Sequence, residues 1–427
     1  MTGAVVMLGY DDVNRGAGYL ILVGPSKLTE DLGITQPKGY PNNEKVILKR
    51  SGTNIILMGN DDMAYMGTQF AVNMFLELQG CGWFGPDELW QVVPEKKDIK
   101  VGALDIVHTP KFVSRQSNVY HHYQAFSRRW YMGGEPTVIG HTLPQMVSRE
   151  NYFESNPEWF SLINGERNPY KEFWWQYCYS NKDFAAEIGR QVINYFDNNP
   201  TAMQYSIMEN DGWDDGWCEC SSCAAFPSNT DLILNFANNV ARVVANKYPN
   251  RRITMLSYHS TYFAPESNIK AEPNVEVIFN RETNMTQPLD VGFDVGRSVF
   301  PETRNSYPIP WKVNFTDYIE KSDLQNVSIW EWYCISVDRS VWQDIPWVQG
   351  DVAIRNQKLW KDNGASYVYY DHGPLPVYNE GFSSFALRWP LWYVAAKGMW
   401  DDSLSGDDIL RDACNKLYGA GADVMYK

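Results

Sequence analysis

The sequence predicts an α/β protein whose larger part, residues 109–427, is a (β/α)8 barrel of the TIM type. From Pro110 onward, short apolar runs of strand length alternate with stretches of helical periodicity, which is the pattern of repeated βα units. Eight strand candidates are present, the number that closes such a barrel, and a large doubly wound sheet is the alternative. The candidates are 111–117, 137–141, 175–180, 203–208, 252–258, 275–280, 327–332 and 366–370, with helices over 182–196, 231–248, 382–399 and 407–418.

Residues 1–108 are predicted to form a separate, small α/β domain. Strands are expected over 19–24, 45–50 and 54–59, the last two joined by a hairpin-type connection at Gly52. Apolar spacing predicts a helix over 66–78, and a last extended segment covers 90–101. Residues 2–8 read as the end of an element whose beginning is missing, so we expect the natural protein to start before Met1.

Composition excludes several classes of function. A net charge of −14 argues against nucleic acid or an anionic membrane surface as a partner. No stretch is apolar enough to span a bilayer, and no signal peptide is visible. Phosphate-binding, dinucleotide-binding and Ser-nucleophile motifs do not occur. The surplus of aromatic residues (17 Trp, 26 Tyr, 19 Phe) indicates a ring-lined cleft that could stack on a sugar.

The most informative stretch is 203–223. It begins as a short apolar run of strand length and ends in Glu209, Asn210 and Asp211, followed by an acidic loop that carries tryptophans. In parallel α/β folds the reaction face lies at the C-terminal ends of the strands, so Glu209 and Asp211 are candidate catalytic groups. The alternative is a solvated acidic loop with incidental thiols.

Polar residues follow most of the other predicted strands. Strands four and seven would lie across the barrel mouth, where opposed carboxylates could flank a glycosidic bond. We therefore predict Glu209 or Asp211 as the general acid and Glu331 as its partner, with Asp371 in reserve; alternatively, Glu331 only pairs with an arginine. The residues expected to bind substrate are Arg115, His141, His259, Arg281, Trp330, Trp332, Tyr370 and His372.

Three clustered thiols, Cys218, Cys220 and Cys223, close the stretch, and Cys178 lies at the C-terminal end of the neighbouring predicted strand. Four thiolates around one ion would form a closed structural zinc site, since no position is left for water. Free buried thiols and a disulfide are the alternatives. No cofactor for catalysis is expected.

With these residues in view, the chain resembles bacterial carbohydrate-locus proteins known only as a domain of unknown function, distant relatives of the α-glucuronidases and β-N-acetylhexosaminidases. The resemblance covers nearly the whole chain. It is carried by the strings ILVGPS, NIILMGNDD, LQGCGWFGPDE, GHT, NPEWF with NGER, YCYSN, NDG with CxCxxC, and LRWPLWYVAAKGMWD.

The resemblance implies a hexosaminidase-like α/β domain before the barrel, a carbohydrate ligand, and a role in polysaccharide utilisation. It implies that Arg115 binds sugar hydroxyls and that the fourth strand supplies the acid. Asn210-Asp211 is the family-like part of that strand end, so the choice between Glu209 and Asp211 stays open. The family context also implies an extracellular or periplasmic protein.

These observations together predict an exo-acting glycoside hydrolase whose partner is an oligosaccharide or polysaccharide substrate. Two other interpretations remain. A catalytically inactive relative would bind carbohydrate without cleaving it, because a fold alone does not establish chemistry. A metal-stapled scaffold for protein interaction would have no aromatic-lined pocket.

Overall fold

The computed structural model describes residues 3, 8–10, 18–117, 124–167, 175–211, 216–281, 288–291, 310–332, 350–371 and 383–426. The strands are β1 (Leu20–Val23), β2 (Val46–Ser51), β3 (Asn54–Gly59), β4 (Gly82–Trp83), β5 (Gln91–Val92), β6 (Asp105–His108), β7 (Ser114–Ser117), β8 (Gly133–Gly134), β9 (Leu162–Ile163), β10 (Glu166–Arg167), β11 (Gln204–Ser206), β12 (Arg252–Ser257), β13 (Val275–Arg281), β14 (Asn326–Trp332) and β15 (Ala365–Asp371).

The helices are α1 (Lys27–Asp31), α2 (Gly67–Leu78), α3 (Gln124–Ser127), α4 (Leu143–Met146), α5 (Arg149–Tyr152), α6 (Lys182–Asn198), α7 (Asn229–Ala245), α8 (Trp311–Ser322), α9 (Gly350–Asp362), α10 (Ser383–Trp400), α11 (Gly406–Tyr418) and α12 (Ala422–Tyr426). None of the helices in these ranges combines the length and the apolar character needed to cross a bilayer.

The chain forms two compact units. The first comprises Met1–Glu135, Gln343–Lys358 and Pro374–Lys427, and the second comprises Pro136–Trp342 and Leu359–Gly373. This division differs from the predicted boundary between residues 108 and 109, which remains a prediction.

The first unit contains a four-stranded sheet in the order β1-β3-β2-β6. β1 runs parallel to β3, while β2 is antiparallel to both β3 and β6. Gly52 adopts a φ of +61° in the two-residue loop between β2 and β3, a conformation that glycine enters without steric cost. The core of this unit is apolar and aromatic, and it includes Val46, Leu48, Leu57, Phe70, Phe75, Tyr131 and Trp400.

The second unit is built on five consecutive parallel strands in the order β11-β12-β13-β14-β15. They correspond to the fourth to eighth predicted strands. Along the chain, α7 lies between β11 and β12, α8 between β13 and β14, and α9 between β14 and β15, while a short 3-10 helix lies between β12 and β13. The sequence predicted α6 and α7 but did not indicate α8 and α9. Both α6 and α7 begin at side-chain caps: Asn181 accepts from two main-chain N–H groups and Ser228 from one. The second unit is therefore a mixed α/β structure of repeated βα units.

The two faces of this parallel sheet differ in what they pack against. Phe279 of β13 contacts Phe315 and Tyr318 of α8, with ring centroids 4.7 and 5.2 Å apart, and we call this side the helix-facing face. On the opposite face, Met208, Leu256 and Ile278 form a buried cluster, against which Ile139, Tyr258 and Trp330 pack. Side chains alternate between the faces along each strand, so register determines which face a strand-end residue reaches.

Two predicted strands are not observed. Residues 137–141 form no strand, and 175–180 contribute only an isolated bridge between Tyr177 and Phe160. Side chains replace the main-chain ladder at the first of these: Ser206 Oγ donates to the carbonyl oxygen of Gly140, and Thr142 Oγ1 donates to that of Ser206, both at 2.6 Å. A closed eight-stranded barrel is therefore not confirmed by the residues that the structure describes and stays a prediction.

Candidate active site and thiol cluster

Glu209 lies just beyond β11, at the C-terminal edge of the parallel sheet. The main-chain pairing of β11 ends with the N–H of Ile207 donating to the carbonyl oxygen of Thr254 at 2.9 Å. The Glu209 side chain is only 4% exposed. Its Oε1 accepts a hydrogen bond from Thr261 Oγ1 at 2.5 Å, while its buried Oε2 has no hydrogen-bond partner among the described residues. Sequence reasoning did not single out Thr261.

Burial controls the ionisation of this carboxyl group. It raises the pKa of Glu209 from its ordinary value of 4.5 to about 7, because the charged form loses hydration. The hydrogen bond from Thr261 opposes this shift, and the nearby charge of Asp211 adds to it. A carboxyl group with this pKa is partly protonated near neutral pH and can donate a proton, as a general acid must.

His141 is brought directly against the same strand end. Its Nδ1 is hydrogen-bonded to the main-chain oxygen of Glu209. Because a carbonyl oxygen only accepts, Nδ1 carries the proton in this contact. The predicted second and fourth strand ends therefore meet, although residue 141 does not lie in a strand.

Glu331 and Asp371 lie at the ends of adjacent strands but on different faces. Glu331 is completely buried, and its register neighbours are Arg281 and Tyr370. By alternation from the paired residues Phe279 and Ile329, Glu331 belongs to the helix-facing face. Asp371 is half-buried and lies on the opposite face.

Trp330 and Tyr369 occupy the same face as Asp371. The two residues are paired in the β14–β15 register, and their rings pack edge to face with centroids 6.0 Å apart. The opposite face of the sheet thus brings a carboxylate and two aromatic side chains to neighbouring strand ends, the combination expected for binding a sugar.

The geometry does not support the predicted sugar-binding role of Arg115. Its side chain is completely buried, and NH2 forms an ion pair with Glu44 Oε2 at 2.5 Å. Nε donates to the carbonyl oxygen of Tyr131 and NH1 to that of Phe112, both at 2.7 Å. Since all three nitrogens bond within the first unit, the guanidinium group is structural. The sequence did not reveal this role, because the ion-pair partner of Arg115 is the buried Glu44, which is distant along the chain.

The remaining predicted ligands have varied positions. Tyr370 is 1% exposed and packs towards Trp360 of α9, with centroids 6.2 Å apart, so its ring is not available for stacking on a sugar. His259 is 6% exposed, in a short 3-10 helix, and adopts a φ of +44°. The side chains of Arg281 and Trp332, and all of His372, lie outside the described residues.

The four predicted metal ligands converge. The Sγ atoms of Cys178, Cys218, Cys220 and Cys223 all lie within 4.8 Å of one another. The Sγ of Cys178 is 3.6 Å from that of Cys220 and 3.8 Å from that of Cys223. These separations exceed a disulfide bond length of about 2.05 Å, and the four thiols are free. The cluster could therefore bind a metal ion.

The surroundings of the cluster provide hydrogen-bond donors to sulfur. The main-chain N–H of Leu162 points at Cys218 Sγ at 3.3 Å, and Ser180 Oγ lies 3.0 Å from Cys223 Sγ. The Arg167 guanidinium, 3.8 Å from Cys218 Sγ, places a positive charge beside the thiols. Hydrogen bonds from Cys218 and Cys223 hold the pKa of Cys178 far below its ordinary range. Sequence reasoning missed Arg167, although the NGER string containing it was noted.

Known structures resemble the chain only distantly. It is similar to a family GH115 4-O-methyl-α-glucuronidase with specificity for decorated arabinogalactans (13% identity, TM-score 0.47, 97% of this chain and 56% of that one). It is also similar to a family 89 glycoside hydrolase from Clostridium perfringens, with 8% identity, a TM-score of 0.45, and coverage of 90% of this chain and 48% of that one. A third similar structure is the cellulose synthase subunit Z of Clostridioides difficile, with 13% identity, a TM-score of 0.29, and coverage of 51% of this chain and 67% of that one. The chain thus spans about half the length of the two hydrolases.

These likenesses are too weak to assign an activity. No curated protein sequence matches the chain. A family model, in contrast, matches residues 86–427, which is most of the chain, and its description is "Domain of unknown function (DUF4838)". The protein therefore belongs to the DUF4838 family.

Proposed function

We propose that the protein is a glycoside hydrolase that acts on the ends of carbohydrate chains, with Glu209 as the general acid. The observation that carries this proposal is the buried carboxyl group of Glu209, whose pKa is raised to about 7 at the C-terminal edge of a parallel sheet. Glycoside cleavage needs such a group to protonate the leaving oxygen, together with a second carboxylate that stays ionised.

For the second carboxylate we propose Asp371 in preference to Glu331. Asp371 is half-buried and shares its sheet face with Trp330 and Tyr369. Glu331, in contrast, is completely buried and lies on the helix-facing face. Asp211, half-buried two residues after Glu209, remains the alternative acid. An extracellular or periplasmic site of action is part of the proposal.

The experiment is a hydrolysis screen with aryl glycosides and oligosaccharides of uronic acids and N-acetylhexosamines. For an active substrate, Glu209→Gln should lower kcat by about 10²–10⁴-fold, the usual contribution of general acid catalysis. The loss should be small for a glycoside whose leaving group is already a stable anion, because that group needs no proton. Glu158→Gln, which changes an exposed carboxylate, is the matched control.

The partner is identified by comparing Asp371→Asn with Glu331→Gln. The proposal expects the first to abolish turnover with sugar binding retained, and the second to act mainly on stability. The opposite pattern would return the role to Glu331. Sugar binding without any turnover in the wild type would instead support an inactive binding relative, and neither binding nor turnover would favour a scaffold.

We also propose that the thiol cluster holds a structural zinc ion. Four sulfurs placed tetrahedrally about zinc at about 2.3 Å are about 3.8 Å apart, close to the 3.6 and 3.8 Å that separate Cys178 from two of its neighbours. Elemental analysis should give about one zinc per chain. Cys220→Ser should lose it, while Cys414→Ser, which changes a buried cysteine in α11, should not. A metal-free protein with four titratable thiols would refute the zinc site.

A further inference from the structure

The side chain of Gln176 is bonded to the chain immediately after the candidate acid. Its Nε2 donates to the carbonyl oxygen of Asn210 at 2.8 Å, and its Oε1 accepts from the N–H of Asn210 at 3.1 Å. One amide side chain therefore satisfies both main-chain groups of a single residue, as a neighbouring strand would. Gln176 is completely buried and Asn210 is 1% exposed, so water does not compete for these bonds.

The orientation of the Gln176 amide is itself fixed by its neighbours. The hydroxyl of Tyr179, a buried residue, donates to Gln176 Oε1 at 2.6 Å. Asn210 Nδ2 donates to the main-chain oxygen of Trp175, which ties the same two segments together a second time. Every member of this small network is buried, and the Gln176 amide is hydrogen-bonded at both Nε2 and Oε1, while Asn210 Oδ1 has no hydrogen-bond partner among the described residues.

This contact matters because the β-ladder does not reach Glu209. The register of β11 with β12 ends at Ser206, and a single further main-chain bond is made by Ile207. Beyond that point, the main chain of Asn210 is held by Gln176 instead of by a strand. The position of the Glu209 backbone therefore depends on where the segment carrying Gln176 lies.

That segment is anchored at the thiol cluster. Cys178 follows Gln176 by two residues, and Cys218 follows Gly216 by two residues. The N–H of Gln176 donates to the carbonyl oxygen of Gly216 at 3.3 Å, and Ser161 Oγ donates to the same oxygen at 2.9 Å. Asn210 and Gly216 are therefore both hydrogen-bonded to Gln176, two residues before Cys178 of the cluster.

We propose that Gln176 positions the general acid and that a zinc ion in the thiol cluster holds Gln176 in place. This inference rests on the proposed function for its catalytic part. A metal bound by Cys178 and Cys218 joins the two segments that Gln176 connects, so its loss frees Asn210 and moves Glu209. Among the described residues, the titratable groups that interact with Glu209 include Asp211, His141, Tyr179 and Tyr318. They are present in every variant below.

The test compares Gln176→Ala with the matched control Gln191→Ala. Gln191 lies in α6, and its Nε2 donates to the carbonyl oxygen of Met146 at 3.0 Å, away from the acid. Hydrogen exchange of the peptide spanning 207–211 should be about tenfold faster or more in Gln176→Ala and in zinc-stripped wild type. In these two proteins the peptide spanning β12 should exchange at its wild-type rate. In Gln191→Ala the peptide spanning 207–211 should also exchange at its wild-type rate. Gln176→Glu, which keeps the size but removes the N–H donor, serves if the alanine variant does not fold.

The kinetic measurement separates positioning from general stability. Misplacing a catalytic group by about 1 Å costs about 100-fold in rate, so kcat should fall by tenfold or more with KM nearly unchanged. The alkaline limb of the pH profile should also move, because the burial of Glu209 changes. Unchanged exchange after zinc removal would overturn the link to the metal. Faster exchange with an unchanged kcat and pH profile would overturn the positioning role.

Failure of the proposed function is distinguishable from failure of this inference. A wild-type protein without hydrolase activity refutes the catalytic role of Glu209, and with it the positioning role of Gln176. The exchange measurement does not depend on turnover. It still decides whether the metal and Gln176 brace the chain at Asn210.

Discussion

Replacing Glu209 by glutamine should change the pH dependence of stability in a defined direction. The pKa of Glu209 is about 7 in the folded protein, against an ordinary value of 4.5. Between these values the folded protein binds a proton that the unfolded chain has released, so stability falls as the pH rises. Below pH 4.5 the contribution is present in full, and above about pH 7 it is lost.

The magnitude follows from the two pKa values. A difference of about 2.5 in pKa corresponds to about 3 kcal/mol, and most of this, about 2–3 kcal/mol, develops between pH 5 and pH 8.5. Glu209→Gln removes the titration. Its buried amide leaves N–H donors to satisfy, at a cost of about 1–3 kcal/mol that does not vary with pH. The change between the two pH values is therefore the quantity to compare.

Urea unfolding at pH 5 and pH 8.5 measures this quantity. The free energy of unfolding of Glu209→Gln minus that of wild type should be about 2–3 kcal/mol higher at pH 8.5 than at pH 5, because only the wild type loses stability as the pH rises. Glu158→Gln, at an exposed position, should show no such difference. An equal effect of Glu209→Gln at both pH values would mean that the carboxyl group is not desolvated. It would refute the reason for choosing Glu209 as the general acid.

Three further predictions concern stability. Arg115→Ala should lower the free energy of unfolding by about 3–5 kcal/mol, because Glu44, 2% exposed, would keep a buried charge without its ion-pair partner. A urea titration that gives less than about 1 kcal/mol would contradict this. Gly59→Ala should lower the free energy of unfolding by about 1–3 kcal/mol, since its Cβ would lie 2.3 Å from the main-chain carbonyl carbon of Gly67. In the control Gly102→Ala, the added Cβ meets no atom within 4 Å, so the same assay should show almost no change. Removal of zinc with a chelator should lower the melting temperature by several degrees, and an unchanged melting curve would mean that no metal supports the fold.

Several features could be read from the sequence because they depend on local pattern. The apolar runs from residue 203 onward predicted five parallel strands that the structure contains. Helices were predicted over 182–196 and 231–248, and the structure contains α6 and α7 there. The spacing of the cysteines, with Cys178 as a fourth member, predicted a cluster that the structure confirms.

The choice among carboxylates could not be read in the same way. Strands of a parallel sheet are apolar on both faces, so alternation alone does not tell which face of β14 meets the helices. The contact of Phe279 with α8, combined with the register of β13 and β14, places Glu331 on the helix-facing face. Asp371 reaches the other face by the same alternation.

Local pattern indicated the five parallel strands, α6, α7 and the thiol cluster, because periodicity and cysteine spacing act over a few residues. It also indicated strands over 137–141 and 175–180 that the structure does not form. The tertiary structure decided what each polar side chain does. Arg115 bonds with Glu44 instead of a ligand, and Thr261 meets Glu209 from a strand end some fifty residues away. Burial and long-range hydrogen bonds control ionisation and access, and neither is set by a residue's neighbours along the chain.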